Sequence, residues 1–109
     1  MSFLSVVGLI YLVSGFILNK YPPKKINQTY GYRTKESMKS QAKWNFAQTY
    51  SSKLLMFCGT ILFPLGIIFN SFIINQSIEI VIGLFLISFS IFLIFTNTEN
   101  ALKKVKSHE

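Results

Sequence analysis

LLMFCGTILFPLGIIFNSFII, residues 54–74, runs for 21 residues without a charge. At about 1.5 Å per residue such a helix reaches roughly 32 Å, enough to cross a hydrocarbon core of about 30 Å. Two other stretches have the same character. FLSVVGLIYLVSGFIL, residues 3–18, has 16 uncharged residues, or roughly 24 Å of helix, with interfacial ends and local thinning making up the rest. Ile78 to Phe95 carries one acid, Glu79, near its start, where the headgroup layer can hydrate it. Half of the 109 residues are hydrophobic, eleven of them Phe, and mean hydropathy is positive. The sequence therefore predicts an all-α membrane protein, a single domain over residues 1–109. Its expected parts are three transmembrane helices at about 3–18, 54–74 and 78–95, a loop over 19–53 and a tail over 97–109. Only Met1 and Ser2 precede the first apolar run, and Asn19, Lys20, Tyr21 and two prolines follow it. That flank does not suit a cleaved signal, so the run is read as a retained anchor.

Charge sets the expected orientation. The ten Lys and one Arg lie either between Lys20 and Lys53 or at Lys103, Lys104 and Lys106. Three spans put the loop and the tail on one face, and the positive-inside bias makes that face cytoplasmic, with the N-terminus out and the C-terminus in. A net charge of +7 placed beside a membrane points to anionic lipid as the partner and away from nucleic acid. The single cysteine, Cys58, falls inside the second span, which leaves no disulfide framework and no metal-ligand spacing. His108 is next to the C-terminus, no Ser or Cys has a base at a recognisable spacing, and no Gly-rich phosphate loop occurs. No catalytic group, metal site or cofactor is expected, and no enzyme. Apart from Glu79 at a helix start, the spans hold no Asp, Glu, Lys, Arg or His from which a proton relay or ion path could be built.

Within the spans, small residues recur seven apart: Gly8 and Gly15, Gly59 and Gly66, Gly83 and Ser90. Each helix thus has a face that a neighbour can approach closely, as in a compact three-helix bundle. Pro64 is expected to kink or locally unwind the second helix. Asn70 reads as a hydrogen-bonding contact between helices or as part of a ligand groove. Glu79 reads as a solvated acid at a helix start, or as a contact for an extracellular ligand.

The loop differs from everything around it. Pro22 and Pro23 should end the first helix and hold an extended stretch. In Tyr30-Gly31-Tyr32-Arg33-Thr34, Gly31 permits a turn or a close backbone approach. Ser37 is a fair N-cap for an amphipathic helix of about twelve to sixteen residues running into the second span. On it Met38, Ala42, Phe46 and Tyr50 form a stripe, with Lys39 and Lys43 beside it and Trp44 at its flank. Trp44 and the tyrosines are expected to anchor this segment at the interface. Arg33 offers a planar fork suited to a phosphate, a carboxylate or backbone carbonyls, and equally to tying the loop to helix ends or lipid headgroups. Asn27-Gln28-Thr29 has the form of a glycosylation sequon, which a cytoplasmic loop would not use.

Taken together, Ile26-Asn27, Tyr30-Gly31-Tyr32-Arg33-Thr34, Ser37, Trp44 and Ala47, placed after prolines that follow a first span, resemble the SdpI family of bacterial membrane proteins. The architecture of the whole chain agrees, and the specific match lies in about 25 residues of loop. Before the tryptophan this chain has Ser40-Gln41-Ala42-Lys43, where relatives often carry an acid, and several relatives have a further membrane region. The resemblance implies a bacterial cytoplasmic-membrane protein giving immunity to a secreted, membrane-active peptide toxin. It also implies that the motif residues Asn27, Tyr30, Gly31, Tyr32, Arg33, Thr34, Ser37 and Trp44 bind or hold the structure. On this reading the bundle meets the toxin through apolar contacts and Arg33 is a structural keystone. The other reading is a small accessory or scaffold subunit whose loop docks a membrane protein partner or anionic lipid. Three helices also leave room for a homo-oligomer.

Overall fold

A computed structural model of the chain describes residues 3–72 and 75–105. Among them are three helices, α1 (Phe3–Lys20), α2 (Gln41–Phe72) and α3 (Gln76–Leu102), each long and apolar enough to cross a membrane. His108, Lys106 and the Ile73–Ile74 end of the expected second span lie outside the described residues. With 32 residues, α2 is roughly 48 Å long, well beyond a core of about 30 Å. Its first dozen or so residues therefore project past the apolar zone, in a molecule 53 Å along its longest axis.

Two features of α2 differ from expectation. α2 begins at Gln41, not at Ser37. The Ser40 hydroxyl accepts the Lys43 N–H at 3.1 Å and the Ser40 carbonyl accepts the Trp44 N–H at 2.9 Å, so Ser40 fills the capping role. Ser37 instead closes a tight turn with Thr34. α2 also continues without interruption through Pro64. Of the kink or local unwinding expected there, the unwinding does not occur: the backbone is helical on both sides of Pro64.

α1 and α2 form a close antiparallel hairpin, and α3 rests on it more loosely. The glycines set the register: Ser5 meets Gly66, Gly8 meets Phe63, Leu12 meets Gly59 and Gly15 meets Met56. Asn19 accepts the Ser52 hydroxyl at 3.2 Å in the same register. A Cβ on Gly8 would fall 2.7 Å from Phe63 Cα, and one on Gly66 would fall 2.6 Å from Ser5 Cα. Backbone meets backbone here, which only glycine allows. α3 runs parallel to α1, with Gly83 beneath the Phe3 ring and the Tyr11 and Ser90 hydroxyls bonded at 2.8 Å.

Two polar residues of the spans are placed differently from their readings. Asn70 is exposed. Glu79 is buried, at 6% exposure, and not solvated; Asn75 caps α3 instead, its side chain accepting the Ser77 and Ile78 N–H groups. One Glu79 oxygen, Oε1, has no hydrogen-bond partner among the described residues.

Candidate functional site: a loop clamped to two helices

Residues 21–40 leave α1 at the prolines and return to α2 through a chain of turns. The last α1 bond is Tyr21 N–H to the Ile17 carbonyl at 2.8 Å, after which Pro22 and Pro23 offer no N–H. Asn27 shapes the next turn: its Oδ1 accepts the Thr29 and Tyr30 N–H groups at 2.9 and 2.8 Å, an Asx turn. Gly31 then adopts φ +103°, in the left-handed region that glycine enters at little cost. A Cβ there would also sit 2.8 Å from Pro23 Cγ. Both the backbone conformation and the space require glycine.

This turn brings Tyr32 against α2 and α3 at once. Gln48 accepts the Tyr32 N–H at 2.7 Å and donates to the Tyr32 carbonyl at 2.9 Å, so one amide side chain satisfies both backbone groups. The Tyr32 phenol donates to Glu99 Oε2 at 2.6 Å, and the Thr34 hydroxyl donates to the same oxygen at 2.9 Å. Burial, then the hydrogen bond and charge of Glu99, push the Tyr32 phenol well above its ordinary pKa, with an opposing bond from Thr34. It therefore stays protonated and a donor at neutral pH. Ser37, fully buried, accepts the Thr34 N–H at 2.8 Å while its own N–H reaches Thr34 Oγ1 at 3.1 Å.

Trp44 is fully buried and its indole N–H donates to the Pro23 carbonyl at 2.6 Å. It is a pin beneath the loop, not an interfacial anchor at the flank of a stripe. The face of α2 turned inward is Trp44, Ala47, Gln48, Ser51 and Ser52. The stripe of Phe46 and Tyr50, which stack on each other at 5.3 Å, is only half-buried. The cause is the cover: this part of α2 lies under loop backbone, whose N–H and C=O groups need polar partners.

Of the roles open to Arg33, the bond made is to a backbone carbonyl. The residue is exposed and its guanidinium donates to the Gln28 carbonyl within the same loop. Tyr30 is also exposed, its phenol donating to the Tyr21 carbonyl at 3.0 Å. Links from loop to helices pass through Tyr32, Thr34 and Trp44, and also through Glu36 to Lys43 and the Lys24 carbonyl to Gln41. Three of their partners, Gln48, Glu99 and Pro23, were not among the motif residues. Glu99 had a detectable signal, as the one acid at the loop end of the third span. Gln48 had none, since only the fold turns it toward Tyr32.

Glu36 joins the same surface, bonded to Lys43 and paired with Lys39 at 2.9 Å. These two ammonium groups, Lys39 first, hold its carboxyl down at about 2. Among the described residues no three His, Cys, Asp or Glu side chains gather as a metal site would require. The arrangement as a whole offers a rigid polar clamp topped by exposed bases.

The SdpI/YfhL protein family matches residues 24–96, which span most of the loop, all of α2 and most of α3. A protein of Bacillus subtilis (strain 168), the uncharacterized protein YfhL, is 33% identical over 98 residues, covering 90% of this chain and 84% of the relative. No solved structure matches.

Proposed function

The chain belongs to the SdpI/YfhL protein family, and from that premise we propose that it is a resistance protein of the bacterial cytoplasmic membrane, protecting its cell from a secreted membrane-active peptide. The loop and tail carry the bases and face the cytoplasm, with the N-terminus outside. The observation that carries the reading is the clamp. Two hydroxyls of the Tyr32–Thr34 segment converge on Glu99 of α3 while Gln48 of α2 holds the Tyr32 backbone. The segment that supports the family resemblance is thus the one that fixes the spacing of the helices. A bundle of fixed geometry can present apolar faces to a peptide within the bilayer, where close packing drives association.

The test is survival of a sensitive bacterial host challenged with secreted peptide toxins of neighbouring strains. The wild-type chain is expected to protect, Gln48→Leu to lose protection at unchanged membrane level, and Arg33→Ala to keep it. No protection against a broad panel, from well-inserted wild-type protein, would overturn the reading. One observation favours a second reading, an accessory subunit that docks a partner by its loop: Lys24, Lys25, Arg33 and Lys35 all stand exposed on the outer surface of the loop. Co-purification of a stable partner through that surface would support it.

A further inference from the structure

Below the loop, the three helices do not close on one another. A cavity of about 470 Å³ lies between them, walled by Ser14 and Leu18 of α1, Leu55 of α2, and Ile91 and Phe95 of α3. The backbone and rings of Tyr30–Gly31–Tyr32 form its roof. The Tyr11–Ser90 hydrogen bond marks its lower end. The roof is a lintel tied at both ends, by the Tyr30 phenol to the Tyr21 carbonyl after α1 and by the Tyr32 phenol to Glu99 of α3. The glycine register explains why the space persists. It pulls α1 onto α2, while the lintel and the Tyr11–Ser90 bond hold α3 at a fixed distance. Ser14, Ile91 and Phe95 on the rim are exposed, so the cavity opens sideways between α1 and α3.

We propose that this groove holds one acyl chain of an anionic phospholipid from the loop-side leaflet, entering between α1 and α3 with its phosphate beside the lintel. Position supplies the occupant: the walls belong to membrane-crossing helices, so what lies against the opening is lipid hydrocarbon. The volume is that of a small-ligand pocket. An apolar chain gains little by leaving other chains for apolar walls, so selectivity comes from the headgroup. Lys20, whose ammonium lies 5.7 Å from the centres of the Phe16 and Tyr21 rings, ends α1 at this level. Arg33 follows directly after the roof. Both are exposed. The attraction of two such bases for an anionic surface corresponds to roughly a tenfold or greater preference over a zwitterionic lipid. The site stands apart from the proposed resistance to a peptide, which would approach from the other face.

The experiment is native mass spectrometry of the purified full-length protein in detergent, titrated with phosphatidylglycerol or phosphatidylcholine. One phosphatidylglycerol per chain is expected to be retained, at least about tenfold over phosphatidylcholine. Ser14→Phe, which fills the groove from its exposed rim, is expected to abolish retention with helix content unchanged. Ile91→Trp does the same from the opposite wall should Ser14→Phe fail to fold. Lys20→Gln with Arg33→Gln is expected to remove the headgroup preference. Equal retention of the two lipids, retention that survives both filled grooves, or a lipid-free dimer in which a second copy covers the opening would each overturn the proposal.

Discussion

Gln48 shows how much one side chain can carry in this fold. It is fully buried, and its amide satisfies both backbone groups of Tyr32. Gln48→Leu would leave that N–H and C=O without partners, at a cost of about 1–3 kcal/mol for each group left dry. The expected outcome is amide exchange in residues 30–34 accelerated at least tenfold, whereas Arg33→Ala leaves it unchanged; equal protection in wild type and Gln48→Leu would remove the clamp from the argument. Glu36 gives a pH dependence whose sign follows from its depressed pKa. Its folded value of about 2 lies below the ordinary 4.5, so the Lys39 and Lys43 bonds stabilise the turn above about pH 4.5 and are lost as pH falls toward 2. Exchange of the amides of residues 34–40 is expected to rise over that window beyond its intrinsic rate, and Glu36→Gln should flatten the response.

At the scale of elements, the α1–α2 hairpin depends on contacts that admit no extra atom. Gly8→Ala would drive a methyl group into the Phe63 and Leu62 backbone, and overpacking of this kind costs about 1–3 kcal/mol. Gly83→Ala meets the Phe3 ring at 2.9 Å, a side chain that can turn aside. Thermal unfolding in detergent micelles is expected to shift clearly downward for Gly8→Ala and by much less for Gly83→Ala. Equal shifts would mean that the α1–α3 contact is as tight as the hairpin. The seven-residue spacing of glycines made this seam visible in the sequence. It did not show that Gly8, Gly15, Gly59 and Gly66 all belong to one interface, while Gly83 and Ser90 face α1 across a looser gap.

For the whole molecule, charge asymmetry gives the decisive prediction. Of the eleven bases, eight lie between Lys20 and Lys53 and three in the tail. In intact cells, with Cys58 replaced by Ser, a cysteine at Lys35 is expected to resist a membrane-impermeant thiol reagent and to react once the membrane is opened. Labelling from outside would invert the topology and, with it, the face from which a secreted peptide would arrive.

The helices that can cross a membrane, the residues that end α1 and a turn permitted by glycine at position 31 are legible in the chain alone. These follow from local quantities: the number of uncharged residues in a row, the missing N–H of proline and the conformational freedom of a residue without Cβ. That Ser40 and not Ser37 caps α2, that Trp44 lies under the loop, and that Tyr32 and Thr34 share Glu99 emerges once the chain has packed. Bonds such as Tyr32 to Glu99 join residues 67 apart, and a partner at that distance is set by the register of helices packed through their glycines. No run of neighbouring residues contains that register; it exists once the backbones have met.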